Sequence, residues 1–272
     1  MKLNIVPARD GATWAMRGIT TFFKQPLALS GLFFMFMALL SIATLVPFIG
    51  AALALALLPA ATLGLMAATQ EASRGKFPMP TILISAFRAG RQQLRAMAVL
   101  GALYAVGFGV LMGISALIDG GQFAGLYLFG GHLSEELVMQ GDFQAAMWVT
   151  LLLYAPLSLL FWHAPALVHW YDMPPAKALF ISMVACISNF KAYFAYGLAW
   201  MAVLFGASMV LGVVMGLLGL QAYGRPIITA FALSMAAMTF ASVYFTFRDS
   251  FVHTDNNEFS EQTPTQPHPP AP

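Results

Sequence analysis

"LALSGLFFMFMALLSIATLVPFIGAALALALLPAATLGLMAATQ", residues 27–70, contains no charged side chain. A hydrocarbon core about 30 Å thick is crossed by about 20 apolar residues of helix, so the stretch is long enough for two crossings, 27–46 and 50–70. The link between them, "VPFIG", offers Pro47 and Gly50 and almost no loop, which reads as a tight turn joining a helical hairpin. Lipid offers no hydrogen bonds to a bare backbone, and a helix satisfies its own.

The remainder of the chain obeys the same constraint. Hydrophobic residues make up 60% of it and charged residues only 9%, against about 25% charged in a soluble domain. Four more runs qualify as spans: 96–118, 146–170, 192–220 and 226–247, the last opening on Pro226 at a first helical position. The expected fold is an all-α integral membrane protein with six transmembrane helices in one domain, residues 1–248. The first run is about 20 residues long behind a polar leader, longer than the 7–15 of a signal-peptide core. It therefore reads as a retained helix.

Orientation follows from lysine and arginine, which favour cytoplasmic loops. Of the 13 such residues, Arg225 alone falls on one side of the six-span arrangement. The others precede span one, lie between spans two and three or four and five, or follow span six. The 119–145 segment carries Asp119, Glu135, Glu136 and Asp142 with no basic residue. Both termini are accordingly expected in the cytoplasm of a bacterium, with the protein in its inner membrane and 119–145 outside.

Ahead of each odd-numbered span sits a segment too polar to cross but spaced like a helix. These are "GATWAMRGITTFFK", "PTILISAFRAGRQQLR" and "PPAKALFISMVACISNFK", giving expected interfacial helices at 10–24, 79–94 and 175–190. Each ends on a large apolar residue and a base, followed by a glycine: Phe23-Lys24 to Gly31, Leu94-Arg95 to Gly101, Phe190-Lys191 to Gly197. The unit is a flat amphipathic helix, a turn and a two-span hairpin, repeated three times in parallel. Basic amphipathic helices lie where headgroups meet tails, and anionic lipid attracts each base by about 1 kcal/mol. Arg17, Lys24, Arg88, Arg91, Arg95 and Lys191 are the candidate lipid contacts. From residue 249 to 272 the chain is polar and proline-rich, and is expected to be a disordered cytoplasmic tail.

Several functions are excluded by what is missing. A net charge of +2 without a basic block argues against a nucleic-acid partner. Cys186 is the single cysteine, so neither an intrachain disulfide nor a cysteine metal framework exists. No GxSxG, P-loop or HExxH occurs, so no catalytic, cofactor or metal residues are assigned and an enzyme is not expected.

Polar groups gather in "FWHAPALVHWYDMPPAKAL", residues 161–179. His163 and His169 are six apart, which points them about 120° apart on a helix with about 9 Å between their depths; a metal pair wants i, i+4. His169 with Trp170 and Tyr171 reads as an interfacial aromatic belt. Asp172 reads as the N-terminal signal of the helix behind Pro174, and Asn189 as a group able to bond a neighbouring helix end. His163 falls inside span four, about two turns from its exit. It is either bonded within the bundle, with carbonyls freed by Pro156 and Pro165 as acceptors, or a ligand- or proton-carrying group. Gly109/Gly113 and Gly212/Gly216 have the spacing of close helix packing.

The run 161–198, with Phe161, Trp162, Ala164–Val168, Lys177–Leu179, Ser182, Ala185-Cys186 and Asn189, resembles a segment typical of a group of uncharacterised proteobacterial six-span inner-membrane proteins. "AFRAGRQQLRAMAVLGAL" at 86–103 is similar to that group as well. The resemblance covers about residues 10–250. More distantly, the layout looks like the membrane domain associated with bacterial glycerophosphodiester phosphodiesterases, without the catalytic domain. It implies an α-helical bundle and transfers no activity, cofactor or site residue. Two functions fit: a non-catalytic membrane scaffold or lipid-interacting protein, with a membrane-protein partner or a second copy as further partners; or a transporter of a small or amphipathic solute.

Overall fold

The computed structural model describes residues 2–88 and 90–252. A short strand, β1 (Lys2–Leu3), leads into α1 (Arg9–Lys24), α2 (Pro26–Thr44) and α3 (Gly50–Ser73). A 3₁₀ turn (Pro80–Ile84) and α4 (Ser85–Arg88) precede α5 (Arg91–Asp119); α6 (Gln122–Phe129) and α7 (Glu135–Met139) follow it. Then come α8 (Gly141–Phe161), α9 (Ala164–Tyr171), α10 (Pro175–Ser188), α11 (Phe190–Leu217), a second 3₁₀ turn (Leu220–Tyr223), α12 (Gly224–Ser250) and β2 (Phe251–Val252). Six stretches are long and apolar enough to cross a membrane: α2, α3, α5, Gly141–Tyr171, α11 and α12.

Joints fall where the sequence weakens the helix. Gln25 leaves helical geometry at φ −143°, and Pro26 opens α2 in the first turn, where its missing N–H costs little. The segment expected as one helix over 79–94 is instead divided. Gly90 takes φ +114°, a backbone region that L side chains rarely adopt, so α4 stops short and residues 91–94 become the first turn of α5. Arg88 consequently ends one helix while Arg91 and Arg95 begin another. Between spans three and four, Asp119 organises the turn: its carboxylate accepts from the backbone N–H of Gly121 (2.9 Å) and of Phe123 (2.6 Å), satisfying donors that the start of α6 leaves free.

The amphipathic first helix packs on protein. Gly11, Trp14, Ala15, Gly18, Thr21 and Phe22 are buried along one face of α1, which rests on α11 and α12. Two glycines set the approach. A Cβ at Gly11 would lie 2.0 Å from the Ala192 carbonyl oxygen, and one at Gly18 would lie 2.4 Å from Ser242 Cβ. Trp14, fully buried, meets Tyr193 and Tyr196 at ring-centroid distances of 5.3 and 6.2 Å; burying such a side chain is worth on the order of 3 kcal/mol.

This docking makes the last span pair unlike the first. Helices α2 and α3 pack on one another, whereas α11 and α12 meet mainly through α1. Burial on α11 is confined to Ala192, Tyr196 and Trp200, and its further turns expose Met201, Phe205, Met209, Val213 and Leu217. The glycines of the repeat differ too. Gly101 abuts the Ala56 carbonyl, while Gly31 and Gly197 face open space, as do Gly109, Gly113, Gly212 and Gly216. The GxxxG pairs therefore do not mediate packing within the chain.

The expected boundary of the tail moves. Residues 249–250 complete α12, and β2 pairs antiparallel with β1, Leu3 opposite Phe251 and Lys2 opposite Val252; the rest of the expected tail lies outside the described residues.

Gly11→Val and Gly18→Val are expected to lower the thermal midpoint of the purified protein in detergent, each costing at least about 2 kcal/mol by overpacking against backbone. Gly109→Ala and Gly212→Ala, where nothing opposes a Cβ, are expected to leave it unchanged.

Candidate functional site

Span four is broken, and the break creates a buried polar site around His163 and Ser182. Pro165 has no N–H to offer the preceding turn, and α8 ends at Phe161 while α9 starts at Ala164. In an unbroken helix the His163 N–H would bond the Leu159 carbonyl four residues back. Ser182 of α10 stands between them instead. Its hydroxyl accepts from the His163 backbone N–H at 2.9 Å and donates to the Leu159 carbonyl at 2.8 Å, so an inserted side chain bridges the interrupted ladder.

The His163 ring is fully buried. Nε2 shares a 2.5 Å hydrogen bond with the Tyr193 hydroxyl, and Phe247 and Phe251 pack against the ring at centroid distances of 5.6 and 5.3 Å. Tyr193 belongs to the first turn of α11, and Phe251 follows the last turn of α12. The ring therefore packs against the adjoining ends of those two helices. The ring bonds Tyr193 instead of the carbonyls near Pro156 and Pro165 that the bundle-bonded alternative named, and the Leu159 carbonyl goes to Ser182. Nδ1 has no partner among the described residues. No carboxylate pairs with the ring and no group of metal ligands forms among the described residues.

Neighbouring candidates resolve into structural ties. Asp172 does not cap α10, whose N-terminal residue Pro174 has no side-chain cap. It ends α9 in the left-handed region at φ 51°, and its carboxylate accepts from the Gln93 amide on α5. That amide also reaches the His169 carbonyl at 3.4 Å, which leaves the half-buried His169 ring six residues from His163 and outside its network. Asn189, at the joint of α10 and α11, accepts from the Val6 backbone N–H (2.9 Å) and donates to the Asn4 carbonyl (3.0 Å). It binds the N-terminal segment as a strand would, in place of a helix end.

Beside the broken joint lies a cavity of about 350 Å³ between α3, α5, α8 and α12. Pro59, Tyr104, Tyr154, Phe161, Trp162 and Phe240 line it, and His163 does not. Trp162 turns its indole N–H away from the cavity to Thr246 Oγ1 at 3.0 Å. A second cavity of about 400 Å³, walled by Phe108, Met112, Phe123, Tyr127, Trp148 and Tyr154, sits toward the α6 end. Burial and the nearby Tyr154 push the Tyr127 phenol up from its ordinary range. Both spaces accept apolar matter; neither converges polar groups on a reacting atom.

Asp249, which the sequence reading left in the tail, ties the two ends of the chain. Its carboxylate accepts from Trp14 Nε1 (3.0 Å), Arg17 (2.8 Å) and Arg248 Nε (2.8 Å), and its carbonyl accepts from the Asn4 amide at 2.9 Å. Arg17 is thus ion-paired. Lys24, Arg88, Arg91, Arg95 and Lys191 are exposed and pair with no carboxylate among the described residues. Ser182 and Tyr193 were also undervalued. In the sequence Ser182 stands out only within the resemblance to the six-span group, and only the position of Leu159 relative to Pro165 hints at its use.

Replacing Ser182 with Ala strands a buried N–H and a buried carbonyl, and is expected to cost about 1–3 kcal/mol, read from unfolding in detergent; Ser182→Thr, which keeps the hydroxyl, is expected to recover part of it. Burial pushes the Cys186 thiol up to about 12, since desolvation disfavours the thiolate. The folded value exceeds the unfolded one of about 8.5, so this contribution to stability is complete below that pH and is lost as pH rises toward the folded value. Maleimide at pH 8 is expected to label Cys186 only after unfolding.

The comparisons with known proteins agree with this architecture. No family model matches the chain, and no solved structure matches it. A probable inner membrane protein of Burkholderia thailandensis, BTH_II0599, is 38% identical over 255 residues, covering 92% of this chain and 94% of that protein. With six apolar helices of spanning length, the chain is an all-α, multi-pass membrane protein, and it belongs to the family of that probable inner membrane protein.

Proposed function

We propose that the protein is a non-catalytic inner-membrane protein that binds and organises lipid. The observation that carries this reading is the 350 Å³ cavity, walled mainly by aromatic and aliphatic side chains, with its Thr62, Ser158 and Thr239 hydroxyls donating to backbone carbonyls and His163 absent from its lining. Such a space suits an acyl chain: it offers dispersion contacts and almost no hydrogen bonds. A carrier of polar solute would need water-accessible polar groups along a path. In the orientation given by the positive-inside rule, both termini face the cytoplasm, and the exposed Arg88, Arg91, Arg95 and Lys191 meet anionic headgroups of the inner leaflet. The three pairs of spans then share one direction, each with its amphipathic segment on that side.

One feature favours transport as a second reading: α8 and α9 form an interrupted span at Pro165, and interrupted helices are common in carriers. The two readings separate on purified protein. Native mass spectrometry of protein released from inner membranes is expected to show retained phospholipid, and proteoliposomes are expected to pass no solute. Measured solute flux that depends on His163 would favour the carrier, and protein stripped of all lipid without loss of fold would count against the lipid reading.

A further inference from the structure

The cations expected to touch lipid are not equivalent. Two of them share a cleft with two others that come from distant parts of the chain. Arg17 and Lys24 on α1, Arg74 just past α3 and Arg248 in the last turn of α12 line a space of about 560 Å³. Thr13, Thr20, Thr21 and Ser73 also line it, the hydroxyls of Thr13, Thr20 and Ser73 donating to backbone carbonyls of their own helices, and Tyr244 and Phe245 add an aromatic side.

The charges do not cancel. Asp249 is the carboxylate bonded to these cations among the described residues, and it serves Arg17 and Arg248 together at 2.8 Å each, with Trp14 as a third donor. Four cations against one anion leave a local excess of positive charge. The arrangement also fixes part of the site in advance. Asp249 holds two guanidinium groups in place, and Arg248 is further seated over the Phe245 ring at 5.0 Å. Planar guanidinium groups present paired donors that match phosphate oxygens. Gln25 donates to the Lys76 carbonyl at 3.0 Å, clamping the end of α1 to the turn that carries Arg74. Lys24 and Arg74 themselves are exposed and unpaired among the described residues.

We propose that this cleft, bounded by α1, the end of α3 and the end of α12, is a binding site for a phosphate group. Its aromatic side and its place at the ends of the spans suit the phosphate of an anionic lipid headgroup; free inorganic phosphate shares the chemistry. The proposal rests on the lipid-binding reading and sharpens it. The acyl cavity would hold chains of any lipid, whereas the cleft selects the headgroup by charge.

The test uses the full chain in detergent, with a fluorescent phosphatidylglycerol as one probe and inorganic phosphate as the other. Lys24→Gln/Arg74→Gln removes two exposed side chains that no packing depends on. It is expected to weaken phosphatidylglycerol binding about thirtyfold, with the thermal midpoint unchanged. Lys177→Gln/Arg225→Gln, an exposed control pair outside the cleft, is expected to weaken it less than threefold. Millimolar inorganic phosphate that displaces the lipid from the wild type, and fails to bind the double variant, supports the same site with a soluble source as well. A Lys24/Arg74 double variant within threefold of wild type, or a control pair that loses as much as it does, overturns the cleft while lipid retention in the cavity still stands. A wild type that binds neither probe overturns it too.

Discussion

Asp249 receives hydrogen bonds from both arginines beside it and from a buried indole, and through them it joins the first helix to the last. An ion pair at a surface is worth little, commonly 0–1 kcal/mol. Here the carboxylate works alongside two glycine contacts and Trp14, and the sum keeps α1 pressed against α11 and α12. Trp14, Leu63, Met66 and Leu167 all belong to one continuous buried cluster. Removing α1 would leave α11 with almost no neighbour.

The broken fourth span depends on the same region. A proline in a lipid-crossing helix is tolerated where another group satisfies the freed backbone, and Ser182 does so from α10. That bond fixes α10 under α8, which brings Asn189 to the N-terminal segment and Tyr193 to His163. The His163 ring packs into this joint with aromatic rings on two sides and one hydroxyl partner. The space with room for a ligand begins on the other side of Trp162.

The number of spanning helices and their approximate bounds were legible from hydropathy alone, because an uncharged run such as 27–70 has no other stable arrangement in a cell. The docked face of α1 was legible as an amphipathic stripe containing Trp14, Gly18 and Phe22. Its partner was not: a stripe of that kind fits a lipid surface and a protein groove equally well, and only the backbone approach at Gly11 and Gly18 distinguishes them. Gly90 was read as part of a helix face, since helical spacing on both sides concealed a left-handed break. Asp172 sat two residues before a proline, where a cap is common, and instead closed the helix behind it. Asp249 was lost because charge beyond a span looks like tail, whatever it bonds to. The pairing of Ser182 with Leu159 and His163 joins residues about twenty apart through a break that periodicity does not register.

The docking of α1 also bears on how the protein is made. Ribosomes deliver residues 9–24 well before residues 224–250, yet these are two segments that must meet. Until α12 has entered the bilayer, the tryptophan and glycines of α1 have no groove to occupy, and β1 has no strand to pair with. Closure of the bundle is thereby tied to completion of its last helix, and a chain halted before Asp249 would remain open.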